Sequence, residues 1–284
     1  MMRHLFLLSQ PRSGTSYFDQ LLRNANGPFH FATLAEAIYN PHLLQTSLAT
    51  RHLRDLIGSN LEKFCIAEAL QQDDGFDLGF FKGVIAQYHH DTAQNSPIQA
   101  KWFPSSIERF TEVLKKRGQR LSIPLLNDIF GEITWIEMYR ENLIKQAVSF
   151  DIAFQTKQWI KFRQEAFNSI DTLEALYDFD AILCRVRLFA SERLFWPVWM
   201  KEMGIQSSYT MTYEQLTGNY VKTLTELSEK TGLPIDIPTP DQIQIVPQSN
   251  ELNGLFIARF KADCDSRGID ASVWENAAAR EHLV

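Results

Sequence analysis

The sequence predicts an α/β fold: a parallel sheet flanked by helices, with helical insertions, on a single domain spanning 1–284. Three observations carry that reading. The first thirty residues run strand, tight loop, helix. Further short apolar runs are spaced along the chain, and stretches of helical periodicity lie between them. Strands separated by helices pair in parallel, because the connection must cross back over the sheet.

Taken in order, Leu5-Phe6-Leu7-Leu8 is short, continuous and apolar, the pattern of a strand buried on both faces. Gln10 to Gly14 reads as a turn, and Thr15 to Arg23 has helical spacing with Phe18, Leu21 and Leu22 on one face. Asn24 to Pro28 supplies the stop. Further strands are expected at Leu78–Ala86, Ile133–Tyr139 and Ser208–Thr212, and helices at Leu61–Leu70, Ser106–Arg117, Leu143–Trp159 and Ala181–Met200. The stretch Pro234 to Pro247 carries four prolines and reads as an extended strap.

Composition narrows the function. A formal charge of −6 argues against a nucleic-acid binder, while leaving room for an anionic small molecule held by a few local donors. Cys65, Cys184 and Cys264 are far apart and odd in number, so they form neither a disulfide framework nor a zinc spacing, and a reducing compartment fits. The apolar run after Met1-Met2-Arg3-His4 is too short for a signal peptide. No stretch reaches the ~20 apolar residues of a membrane span, so a cytoplasmic location is expected.

The loop Gln10-Pro11-Arg12-Ser13-Gly14-Thr15-Ser16 sits where a strand hands over to a helix. A helix N-terminus presents unpaired N–H groups and the positive end of the macrodipole, which bind anions. Gly14 allows close backbone approach, Thr15 and Ser16 add hydroxyls, and Arg12 adds a forked cation. Composition alone is met as well by a plainly capped helix. The loop lacks GxxxxGK[ST], so the lysine and magnesium arrangement of nucleotide hydrolases is missing. Further on, Ile133–Tyr139 delivers Arg140, and Ser149 follows nine residues later, roughly 10 Å along the expected helix. A charged donor and a hydroxyl together suit a phosphate monoester. Spacing alone fits a solvated strand end and a packing serine better.

A resemblance weighs against that blander reading. Pro11-Arg12-Ser13-Gly14-Thr15-Ser16 after an N-terminal strand resembles the 5′-phosphosulfate loop of sulfotransferases. Tyr139 to Ser149, followed by Ala153-Phe154-Gln155-Thr156-Lys157-Gln158-Trp159, is similar to the signature of the Stf0-like, trehalose-type branch. Asp77 to Lys82 looks like the family's second strand with its lysine, Thr212-Tyr213-Glu214-Gln215-Leu216 like its Y-E-x-L, and Leu252 to Phe260 like its closing segment. The chain departs in having one arginine at 140 where relatives often have two or three.

The resemblance implies a P-loop-like sheet and a 3′-phosphoadenosine 5′-phosphosulfate (PAPS) donor leaving the 3′,5′-bisphosphate (PAP), with no metal. It implies binding of that nucleotide by Arg12, Ser13, Gly14, Thr15, Ser16, Arg140 and Ser149. Arg12 would also act catalytically, on the leaving phosphate. Glu36 stands at the place of the family's general base, and His89 and His90 form a second choice. Trp159 and Gln155 are expected to meet the acceptor, and Phe150 and Phe154 to be core. The acceptor is a small molecule or carbohydrate, and relatives are often homodimers. Two other readings remain: a P-loop kinase or NTPase, and a module that binds PAP or PAPS without turnover.

Overall fold

The structure is a computed structural model that describes residues 3–24, 79, 82–83, 99–156, 158–159, 176–245 and 251–276. Its sheet has four parallel strands: β1 (Arg3–Leu8), β2 (Gln99–Trp102), β3 (Glu132–Tyr139) and β4 (Tyr209–Thr212), in the order β2-β1-β3-β4. The α-helices described along their whole length are α1 (Thr15–Asn24), α2 (Pro104–Lys116), α3 (Ile123–Phe130), α4 (Leu143–Thr156), α5 (Phe179–Met203), α6 (Tyr213–Gly218), α7 (Tyr220–Thr231) and α8 (Glu251–Ser266).

Alternation along β1 sorts the two faces of the sheet. Phe6 and Leu8 join Trp102, Phe110, Phe130, Trp135 and Trp199 against α2, α3 and α5. Leu5 and Leu7 join Phe18, Ile136, Met138, Met211 and Leu224 against α1, α6 and α7. Phe6 is fully buried and meets Phe130 and Trp135 edge-on at 5.0 and 5.2 Å. Burial of such a side chain contributes about 1.5–3 kcal/mol. A third cluster joins α4, α5 and α8 around Phe189, Phe256 and Phe260. The strand order reverses around β1, so its C-terminal end lies at the switch point, where open α/β sheets bind ligands.

Two expectations need correction. Of the strand expected at Leu78–Ala86, the described residues Gly79, Lys82 and Gly83 are helical. The second strand is Gln99–Trp102, and its lysine is the buried Lys101, while Lys82 pairs with Asp128 of α3. Helix α3 was not anticipated. Pro124 in its first turn resembles a breaker, but proline is well suited there, and Ser122 caps the helix through the Leu125 N–H. The first, third and fourth strands and α1, α2, α4 and α5 match expectation within three residues at each end. Residues 234–244 form neither helix nor strand, in keeping with the prolines at 234, 238 and 240. Helix 61–70 lies outside the described residues.

Candidate functional site

The loop after β1 is closed by its own side chains. Ser13 donates its N–H and its hydroxyl to the Gln10 carbonyl, at 3.4 and 2.7 Å, and its Oγ lies 2.7 Å from Ser9 Oγ. Ser13 is therefore fully buried, and its hydroxyl is spent on the turn. Gln146 of α4 donates Nε2 to the Pro11 carbonyl at 2.8 Å, fixing the loop from outside. These ties hold Arg12 at φ 64 and Gly14 at φ 89. The left-handed region costs a non-glycine residue about 1–3 kcal/mol, and here the surrounding bonds impose it. Backbone of this kind turns successive N–H groups to one side, a concavity that suits anions. Gly14 accepts the first helical bond, from Phe18 N–H at 3.0 Å. The amides of Thr15, Ser16 and Tyr17 precede it and have no partner within the helix.

Arg12 leads out of the loop. Its Nε and Nη2 donate to Ser149 Oγ at 3.1 and 2.9 Å, and its Nη1 to the carbonyl of Trp159. Ser149, expected to meet Arg140, thus meets Arg12, and the two anticipated anion sites merge into one strip. Burial holds Arg12 down to about 10, with repulsion from Arg140 next, and Tyr213 opposing both. It remains a cation at neutral pH.

Arg140 sits at the end of β3, 9% exposed. Its guanidinium lies 4.5 Å from the Tyr213 ring centre, and its Nε is 3.8 Å from Glu214 Oε1. The other Glu214 oxygen accepts the Glu141 N–H at 3.0 Å. Burial lowers the Arg140 pKa, while Tyr213 and Glu214 raise it. From behind, Arg193 of α5 donates Nη1 to the Arg140 carbonyl at 2.8 Å and lies 3.7 Å from the Tyr139 ring centre. Tyr213 also presses on the loop: a Cβ at Gly14 would stand 2.4 Å from its Cδ2. Only glycine fits between that ring and the positive φ. Thr212 and Gln215 hold Tyr213 in place with a reciprocal capping box at the start of α6.

An aromatic shelf borders the strip. Phe150 is stacked with Phe154 at 6.4 Å and edge-on to Trp159 at 5.4 Å, and the Arg185 guanidinium lies 4.6 Å from its ring centre. Trp159 is 41% exposed and Phe154 46%, so Phe154 is part of the presented surface and not core. Gln155 turns inward. Its Nε2 donates to Asp151 Oδ2 at 2.6 Å and to the Leu176 carbonyl at 2.9 Å, making it a strut between α4 and the start of α5. Glu36, His89 and His90 lie outside the described residues. Among the described residues, no group of three or more His, Cys, Asp or Glu could hold a metal ion.

Sequence reasoning named Gln10 within the loop and Gln146 within the motif match without seeing that they brace the site, and it missed Arg193. It met Tyr213 and Glu214 only as a match in sequence order. A glutamine beside a proline, or three residues before Ser149, gives no local sign of what it binds.

With the geometry in place, the comparisons with known proteins can be set beside it. The sequence model of the Stf0 sulphotransferase family matches residues 102–263, which takes in Arg140, Ser149 and Trp159 but begins after the Arg12 loop. Trehalose 2-sulfotransferase of Mycobacterium tuberculosis (strain Erdman) is 23% identical over 165 residues, 57% of this chain and 58% of that protein. The chain therefore spans less than two thirds of that relative. Among solved structures, the sulfotransferase domain of the curacin biosynthetic pathway aligns with TM-score 0.44 and 13% identity, over 85% of this chain and 77% of that one. The sulfotransferase domain of the Synechococcus PCC 7002 olefin synthase aligns with TM-score 0.41 and 14% identity, over 91% and 94%. A sulfotransferase from Alicyclobacillus acidocaldarius gives TM-score 0.42 and 12% identity, over 96% and 99%.

Proposed function

Because the chain belongs to the Stf0 sulphotransferase family, we propose that it moves the sulfuryl group of PAPS to an acceptor hydroxyl on a carbohydrate or glycolipid. The observation that carries this reading is the donor strip from the Thr15–Tyr17 amides through Arg12 to Ser149, with Arg140 close enough to repel Arg12. A buried guanidinium at Arg140, a half-buried one at Arg12 and a row of amides suit a nucleotide with two separate phosphates, so the residues present fit the donor. When bound, that nucleotide supplies an activated sulfuryl group.

The loop amides and Arg12 hold the 5′-phosphate and take up the charge that grows on it as the sulfur–oxygen bond breaks. Arg140 and Ser149 hold the 3′-phosphate. Arg12 stands between the two and exchanges a hydroxyl and a carbonyl for phosphate oxygens. Trp159 offers a flat apolar face to a sugar ring, with Phe150 and Phe154 behind it. Gln155 keeps only its oxygen for the acceptor, since its amide hydrogens brace α4. Glu36 takes the acceptor proton. The reaction needs no metal and runs in the cytoplasm.

Labelled donor incubated with a panel of disaccharides and glycolipids tests this. Transfer is expected for the wild type and lost in Arg12→Ala. Glu36→Gln is expected to bind the bisphosphate while turning over about a hundredfold or more slower. Near-native rates in that variant would move the base to His89 or His90. Tight bisphosphate binding with no transfer to any acceptor would favour a binding module, and magnesium-dependent ATP turnover would favour a kinase.

A further inference from the structure

Beneath the loop, a carboxyl and a carboxamide meet with one proton too few. Gln10 is 2% exposed, and its backbone carbonyl receives the bonds that close the turn: Ser13 N–H, Ser13 Oγ and Ser9 Oγ. Its side chain anchors that turn to α5. Nε2 donates to the Phe189 carbonyl at 2.7 Å, and the carboxamide is hydrogen-bonded to Glu192, three residues further along the helix. Yet Gln10 Oε1 and Glu192 Oε2 are both buried and lack a hydrogen-bond partner among the described residues. Both atoms are acceptors as long as the carboxyl is ionised. A protonated carboxyl carries one O–H donor, which removes the deficit at Glu192 Oε2 and gives Gln10 a group it can accept from.

Resting on the nucleotide assignment above, we propose that Glu192 is a positioning residue for the phosphate loop. It clasps Gln10 as the neutral acid, and its ionisation places a negative charge under the loop and loosens the hold on the nucleotide. The charged groups facing it favour the neutral form on balance. Burial acts first and the Gln10 bond opposes it. Glu108 of α2 then repels the carboxylate, and Arg185 on its own helix attracts it, so the carboxyl is pushed up to about 7. Gln10, the group facing it from the loop, is uncharged. Arg185 lies over the Phe150 ring, towards the aromatic shelf.

Linkage gives the direction. A protonated Glu192 and a bound dianion favour each other, so nucleotide binding takes up a proton and affinity falls as pH rises through about 7. A residue that merely packed the helix would leave both quantities alone. The nucleotide's own phosphates titrate nearby, but they do so equally for wild type and Glu192→Gln, and the ratio of the two affinities removes them.

The test is calorimetric titration of both proteins with adenosine 3′,5′-bisphosphate at about pH 6 and about pH 8. The ratio of wild-type to Glu192→Gln affinity is expected to fall about fivefold or more between those conditions. At the higher pH the wild type is expected to take up a fraction of a proton that Glu192→Gln does not. A flat ratio with equal proton uptake, both proteins binding the bisphosphate, would overturn the role. If Glu192→Gln fails to fold, Glu192→Met takes its place in the same comparison: greater proton uptake and a falling affinity ratio in the wild type support the role, and equal uptake with a flat ratio overturns it. A wild type that does not bind the bisphosphate at either pH overturns the nucleotide assignment, and this role with it.

Discussion

Arg12 and Arg140 lie close enough to repel each other, yet the protein holds them by opposite means. Arg12 projects from a loop in left-handed backbone, and among the described residues its guanidinium bonds a hydroxyl and a carbonyl, both neutral. Arg140 ends a strand at the sheet's core, lies on a tyrosine ring and faces the carboxylate of Glu214. Neutral partners are readily exchanged for an anion, because the hydroxyl and carbonyl they leave can bond elsewhere. A carboxylate is not, since its charge would be left behind. Under the proposed function, the difference would separate a cation placed to change partners during the reaction from one fixed as part of the binding surface.

Removing each arginine is the most direct way to break that comparison. Arg12→Ala deletes a preorganised donor at the leaving group, and turnover is expected to fall about 100- to 1,000-fold in a labelled-donor assay. If Arg140 binds the 3′-phosphate as proposed, Arg140→Ala deletes charge-assisted bonds to it but nothing made only in the transition state. Its main effect should be a bisphosphate affinity weaker by about ten- to a hundredfold, read by calorimetry. If both variants lose turnover and affinity in the same proportion, the two arginines share one role and the contrast fails.

Smaller changes sharpen it. Gly14→Ala puts a side chain at φ 89 and against Tyr213, and is expected to cost about 1–3 kcal/mol in thermal or denaturant unfolding. In a Tyr213→Ala background the overlap is gone but the backbone strain remains, so the cost should shrink without vanishing. Ser149→Ala takes one neutral partner from Arg12, worth about 1 kcal/mol, or roughly fivefold in bisphosphate affinity. Trp159→Ala keeps the carbonyl that Arg12 uses and removes only the ring. It should raise the acceptor KM a few-fold and leave bisphosphate affinity near wild type.

The two halves of the site also differ in how far the sequence announced them. The loop is contiguous, and strand, turn and helix follow from seven residues whose conformational needs are local. What holds it comes from far along the chain: Gln146 bonds Pro11 across 135 positions, and Gln10 bonds the Phe189 carbonyl across 179. Such contacts leave no periodicity to read. The pairing of Ser149 with Arg12, not Arg140, depends on where α4 comes to rest against the loop, which spacing along one helix does not fix. β2 escaped notice because Gln99-Ala100-Lys101-Trp102 is short and half polar, although Ala100, Lys101 and Trp102 are buried. The apolar run at 78–86 looked like a better strand, and a short apolar run does not by itself distinguish strand from helix. Phe154 was taken for core from its spacing alone, but it stands on an outward face of α4, and Trp159, just beyond the helix, is exposed as well.

The measurement that tests the central claim most directly is calorimetric titration of the purified protein with adenosine 3′,5′-bisphosphate, against ATP, without magnesium. If Arg12, Ser149 and Arg140 form one strip for a nucleotide with separate 5′- and 3′-phosphates, the bisphosphate binds at micromolar concentration and ATP binds far more weakly. Preference for ATP, or no binding of either, would contradict the strip as a site for that nucleotide.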